Sequence, residues 1–194
     1  MIPQERFLAR KDQDFEGWLN ARRNGVTATQ VANASTPAGF EKAAADFLTE
    51  YRERDNAYMR FGREWEPLMA DYVEAEYSIT PNEALIAGER PHHLATPDGL
   101  AWPDHRVIGE YKTTGKDWGS VDRLPLRYKR QVQWQLHVTG AQSCVVAWLL
   151  REEVDGTFVP GWFEPKTGIV QRDEEMITDL IVTADRLWRF VNGG

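Results

Sequence analysis

The 194-residue chain is 42% hydrophobic and 27% charged, with a formal net charge of −7, proportions that suit one sheet-based domain over residues 1–194. No apolar run approaches the roughly 20 residues that span a bilayer, Met1–Arg10 lacks the apolar stretch of a signal peptide, and the single Cys144, inside the apolar run SCVVAWLL, excludes a disulfide framework or a four-cysteine cluster. An intracellular protein is expected, and its acidic balance argues against a general nucleic-acid coat protein while leaving room for an enzyme with basic residues along one groove.

Residues 12–24 read as a helix with Phe15, Trp18 and Leu19 on one face and Gly25 as its C-cap. Arg22 falls one turn beyond Trp18, on the same inward face, where an arginine needs an anion. Spacing leaves a salt bridge within the chain and an external anion equally open. In Val26–Gln30 either Thr27 or Thr29 can cap a short following helix. Its N-terminus could receive a phosphate, although a cap alone is the better reading there. Residues 40–54 and 57–77 also read as helices. The second carries the apolar stripe Tyr58, Phe61, Trp65, Met69 and Tyr72, with Glu66 at its edge and Glu64, Asp71 and Glu74 in solvent.

From about residue 84 to 112 the pattern changes to short strands and turns. His92 and His93 are adjacent and so are expected on opposite faces; with only His105 and His137 besides, no zinc site is expected. Pro97-Asp98-Gly99 precedes the apolar run Val107-Ile108-Gly109, which leads into Glu110-Tyr111-Lys112. On a strand Glu110 and Lys112 share one face and Tyr111 takes the other. An acid and a base among apolar neighbours either pair with each other or share a cation and a reacting group. If the segments around Asp98 and Glu110 are neighbouring strands, both carboxylates converge beside Lys112. Such an oxygen donor set suits Mg²⁺, and the lysine is placed to orient or help deprotonate an attacking water.

Residues 115–124 read as a loop and 125–139 as a helix with Pro125 in its first turn. Leu126, Tyr128, Val132 and Leu136 are assigned to its apolar side, and Gln131 and Gln135 share a face one turn apart. Lys112, Lys116, Arg123, Arg127, Lys129 and Arg130 outnumber Glu110, Asp117 and Asp122 here, making this the basic district of an acidic chain. A buried strand over 143–151 pairs with 157–164 through an Asp155-Gly156 turn. The last helix, 173–191, has Ile177, Leu180, Ile181, Ala184, Leu187, Trp188 and Val191 inward and is read as core without chemistry.

Taken in order, these pieces resemble the PD-(D/E)xK nuclease superfamily, and within it the lambda exonuclease and YqaJ-like viral recombinase family. Pro97-Asp98 and Glu110-Tyr111-Lys112 look like the signature itself. Gly62-Arg63-Glu64-Trp65-Glu66 is similar to the family's G-x-x-x-E helix, and Gln131-Val132-Gln133-Trp134-Gln135 to its QVQ helix. Trp18-Leu19-Asn20-Ala21-Arg22 and Val26-Thr27-Ala28-Thr29 match its W-x-x-x-R and TAS segments, with Thr29 where the family usually has serine. An ExK alone is weak, but five motifs in order over most of the chain are specific.

The resemblance implies an α/β fold with a restriction-endonuclease-like core, a central mixed β-sheet flanked by helices. It implies an Mg²⁺-dependent 5′-to-3′ exonuclease on linear double-stranded DNA, with Mn²⁺ able to substitute. Asp98, Glu110 and the Tyr111 carbonyl are the implied metal ligands, with Glu66 at a second metal or an outer water, Lys112 and Gln131 in the catalytic centre, and Arg22 and Thr29 on the 5′ phosphate. It also implies a ring-shaped homotrimer, a single-strand annealing partner, no membrane, and a phage or prophage origin in a bacterial cytoplasm. The rival readings are an endonuclease of the same superfamily, which needs no pocket for a terminal phosphate, and a catalytically silent DNA-end-binding protein. A CRISPR-adaptation nuclease with a four-cysteine iron–sulfur cluster is excluded by the single Cys144.

Overall fold

The computed structural model describes residues 1–49 and 55–193. A 3-10 turn at Gln4–Arg6 leads into strand β1 (Phe7–Arg10), helix α1 (Phe15–Arg22), β2 (Val26–Thr27), α2 (Ala28–Ala34), α3 (Pro37–Leu48) and α4 (Ala57–Tyr77). Strands β3 (Ile79–Pro81), β4 (Ala84–Ala87), β5 (His93–Ala95), β6 (Gly99–Ala101) and β7 (Val107–Thr114) follow. After helix α5 (Leu126–Thr139) come β8 (Ser143–Val154), β9 (Thr157–Pro160), β10 (Lys166–Gln171) and α6 (Glu174–Val191).

The central sheet runs β10-β8-β7-β6-β3, with β9 attached to β8. It is mixed, because β7 and β8 are parallel while the other pairs are antiparallel. A parallel pair needs a crossover, and α5 supplies it. On one face Ile108, Cys144, Val146 and Trp148 meet Trp134 and Leu136 of α5 and Leu180, Ala184 and Leu187 of α6. On the other, Tyr111, Val145, Ala147 and Leu149 meet Met69, Ala70 and Val73 of α4. The larger aliphatic ones, such as Ile108, Met69 and Leu180, each contribute on the order of 1.5–3 kcal/mol when fully buried.

The expected α/β class and flanking helices are present, but the strands form two sheets. The second has the order β1-β4-β5-β2. Its strands are two to four residues long, too short to announce themselves by alternation. Strand β10 went unread for a related reason: its residues are exposed or half-buried without strict alternation, and none is fully buried.

Helix α4 has the expected bounds. It starts at Asn56, whose side chain accepts the Met59 N–H, and ends at Ser78 with φ 56°. Helix α3 starts earlier than expected, at Pro37 behind the Thr36 cap, and ends at Leu48. Residues 50–54 of the expected helix lie outside the described residues. Phe15, Tyr58 and Leu126, all assigned inward by periodicity, are exposed. Each sits in the first turn of its helix; Phe15 stacks on Trp18 and Tyr58 on Phe158, so these two rings find neighbours at the surface rather than in the core. Strand β8 continues past 151 to Val154, and the expected hairpin turn is present, with φ of 51° at Asp155 and 76° at Gly156.

Gly25 is not a left-handed helix cap, since α1 already ends at Arg22 with Arg23 as its cap. Its role is close approach: the Val26 N–H donates to the His92 carbonyl at 2.7 Å. A Cβ at Gly25 would lie 2.4 Å from that oxygen. Gly25→Ala should therefore cost about 1–3 kcal/mol in urea unfolding, by prising β2 from β5. Unchanged stability would show that the junction is soft.

Candidate active site

Strands β6 and β7 are antiparallel neighbours, with Gly99 opposite Gly109 and Leu100 opposite Ile108. This register puts Asp98 beside Glu110. The Asp98 N–H donates to the Gly109 carbonyl at 3.0 Å, and its Oδ2 accepts the Tyr111 N–H at 2.6 Å. The side chain thus extends the ladder past the strand's end and is fixed there. Tyr111 packs on the opposite face, close over the glycine pair: a Cβ at Gly99 would lie 2.8 Å from the Tyr111 hydroxyl.

Glu110 is 1% exposed. Gln131 Nε2 donates to its Oε1 at 2.6 Å, Gln135 Nε2 donates to its Oε2 at 2.8 Å, and Lys112 forms an ion pair with Oε1. The acid and base of the ExK run therefore pair directly. Burial alone would lower the Lys112 pKa, but Glu110 and Asp98 more than offset it and the net shift is upward. Burial pushes the Asp98 carboxyl well up, with Glu110 adding to it and Lys112 opposing. Glu66, half-buried on α4, is pushed up by burial in the same way, against the pull of Lys11.

A cleft of about 1160 Å³ opens over this cluster, lined by Glu66, Lys112 and Gln131, with Thr29 on α2. Asp98 and Glu110 lie behind that wall. Of the basic district, Lys116, Arg123 and Arg127 join the lining, as does Arg151 from β8. Lys129 instead donates to the Asp122 carbonyl. Thr27, not Thr29, caps α2, with Gln30 Oε1 accepting both its N–H and its hydroxyl at 2.8 Å. Thr29 is left exposed at the cleft.

Arg22 does not line the cleft. Its guanidinium lies 4.4 Å over the Trp18 ring, and no carboxylate pairs with it among the described residues. Burial alone depresses its pKa. Of the two readings left open by spacing, the salt bridge is the one removed.

Two residues escaped the sequence reading. Gln135 carried a signal, since it shares a helical face with Gln131. Arg151 carried none; it lies over the rings of Tyr58 and Phe158 at the mouth of the cleft. His92 and His93 also depart from expectation, because both rings reach Asp185 of α6. His92 Nε2 and His93 Nε2 each lie 3.0 Å from its Oδ1, and Arg90 holds Oδ2. His93 Nδ1 lies 3.0 Å from His137 Nε2. Burial and His93 bring the His137 pKa down to about 4. His92 precedes the first residue of β5, so strand alternation does not govern it.

At the ExK cluster the donors are all oxygens, and two of the three carboxylates are pushed up by burial and mutual repulsion. A divalent cation with oxygen preference fits this set, because it would relieve that repulsion.

Residues 17–142 match the YqaJ-like viral recombinase domain, and the chain belongs to that family. No curated protein matches it in sequence. Among solved structures, the alkaline exonuclease LHK-Exo from Laribacter hongkongensis is similar at TM-score 0.73 and 24% identity, over 92% of this chain and 93% of that one. The complex of LHK-Exo with dAMP gives the same figures. A phage-related exonuclease from Haemophilus somnus is similar at TM-score 0.67 and 15% identity, over 87% and 94% of the two chains. The likeness is one of fold, and it is the restriction-endonuclease-like core that was expected.

A carboxyl whose folded-state pKa lies above its unfolded value favours folding at low pH, and that contribution is lost as pH rises through the folded-state pKa. Ionised Asp98 therefore costs stability at neutral pH. Asp98→Asn keeps an oxygen for the Tyr111 N–H and removes the charge. In chelator it should melt about 2–4 °C above the parent at neutral pH, an advantage that shrinks on acidification. An equal or lower melting temperature would mean that Lys112 already neutralises the pair.

Proposed function

We propose that this chain is a 5′-to-3′ exonuclease on linear double-stranded DNA, leaving 3′ single-stranded tails for phage-type recombination. The observation that carries this reading is the convergence of Glu66, Asp98, Glu110 and Lys112, of which Glu66 and Lys112 open on a cleft lined by basic residues. Membership of a viral recombinase family and a fold shared with exonucleases support it, as does the dAMP complex of LHK-Exo. No helix among the described residues is long and apolar enough to cross a membrane. Action in the cytoplasm of a bacterial host, a ring-shaped homotrimer and a single-strand annealing partner belong to the same proposal.

Asp98, Glu110 and the Tyr111 carbonyl would hold Mg²⁺, or Mn²⁺ in its place, with Glu66 at the edge of the site. The ion would polarise the scissile phosphate and make bound water more acidic. Lys112 stays protonated beside Glu110, so it acts as an orienting cation toward the attacking water and the phosphate. Gln131 and Gln135 hold the Glu110 carboxylate in one rotamer through both oxygens. Arg22 and Thr29, at the ends of α1 and α2 that flank β2, would hold the terminal 5′ phosphate. A half-buried guanidinium with no carboxylate partner among the described residues is suited to an external anion. This favours an end-directed enzyme over an endonuclease.

Digestion of a linear duplex with Mg²⁺ tests the proposal, comparing 5′-phosphate and 5′-hydroxyl ends with a closed circle as control. Mononucleotides should appear from the linear duplex alone and stop in chelator. Lys112→Ala should slow cleavage by about 10²–10⁴-fold, while Arg22→Ala should erase the preference for phosphorylated ends. Cutting of the circle would identify an endonuclease instead, and no metal-dependent cutting would leave an end-binding protein.

Gln135→Leu separates positioning from packing. It should reduce Mg²⁺ affinity or turnover by about 10–100-fold and leave the fold intact by circular dichroism. Full activity in this variant would remove Gln135 from the site.

A further inference from the structure

Outside the cleft, His92, His93 and Asp185 bring their ligating atoms within 4.8 Å of one another. They come from two parts of the fold: His92 and His93, at the end of the loop before β5 and the first residue of β5, and Asp185 in the fourth turn of α6. We propose that they bind one zinc ion, or another divalent transition ion of similar character, and so clamp α6 to the small sheet.

Two imidazole nitrogens and one carboxylate oxygen form a donor set that Zn²⁺ favours and Mg²⁺ and Ca²⁺ do not. An ion about 2.0–2.1 Å from each donor holds such donors about 3.3 Å apart. The His92 and His93 nitrogens are each 3.0 Å from Asp185 Oδ1, so small rotations would admit it. Three protein ligands leave a fourth position for water, and the His92 and Asp185 side chains, 23% and 25% exposed, provide an entry path.

The surroundings fix each ligand as the partners of metal ligands usually do. His93 Nδ1 faces His137 Nε2 at 3.0 Å, leaving Nε2 for the ion. Arg90 holds the second oxygen of Asp185, which leaves Oδ1 as the single ligand atom. The Trp188 ring, on the same helix as Asp185, stacks on His92 at 5.4 Å and 10° and sets its plane. The site stands apart from the cleft although α5 serves both. Gln131 and Gln135 reach Glu110, while Trp134 and His137, centred roughly 110° around the helix, face the histidines.

The test uses the full chain carrying Glu110→Gln, so that the cleft carboxylates compete less, stripped by chelator and titrated calorimetrically with Zn²⁺. One equivalent should bind, and His92→Phe, which keeps a ring on Trp188, should weaken binding by about a hundredfold or more. Zinc-edge X-ray absorption on the unsubstituted chain, loaded with one equivalent, should show imidazole scattering and so does not depend on how either variant folds. No uptake, uptake indifferent to His92→Phe, or an all-oxygen shell would overturn the proposal and leave a hydrogen-bonded cluster only.

Discussion

A glutamate removed from water stays charged only if donors replace the water, and the architecture around Glu110 meets that demand. Lys112 comes from the same strand face, and Gln131 and Gln135 come from the crossover helix between β7 and β8. The same helix buries Trp134 and Leu136 in the core. Apolar packing and the polar network therefore specify one register of helix on strand, and a shift of either would strand a buried charge. Asp98 joins the arrangement through backbone pairing, because its carboxylate accepts the Tyr111 N–H. Two of the carboxylates are thus set by backbone pairing, Glu110 within β7 and Asp98 just before β6.

The cleft also shows how an acidic chain can present a basic surface. Lys112, Lys116, Arg123, Arg127 and Arg151 line it, whereas Asp117, also in the lining, is taken up by Lys166 and by the Trp148 N–H. At physiological ionic strength charges beyond about 8 Å are largely screened. A polyanion entering the cleft responds to these cations more than to the net charge of −7.

Long elements with strong patterns were legible from the residues. Helix α4, the alternation through Glu110-Tyr111-Lys112 and the inner face of α6 all stand where spacing puts them. The Asp98–Glu110 convergence was legible too, because a short connection between two short strands leaves few other pairings. The small sheet was not, since its strands are too brief to carry a period. Asp185 was hidden for a different reason: it sits next to the buried Ala184 on a helix whose stripe explains itself as core. Arg22 shows the limit of spacing, which placed the guanidinium correctly inward but could not say that no carboxylate among the described residues pairs with it.

Strand β2 is only two residues long and holds the sheet through β5 alone, whereas β7 pairs along its whole length with β8 at the centre of the larger sheet. Val26 nevertheless lies wholly buried in the main apolar core, so side-chain packing holds β2 where its backbone ladder is brief. Amides of β7 exchange with solvent only when the core opens. The carboxylates of the larger sheet are thus held by backbone pairing and the Arg22–Thr29 edge by packing, so a cavity cut beneath Val26 would loosen the edge first.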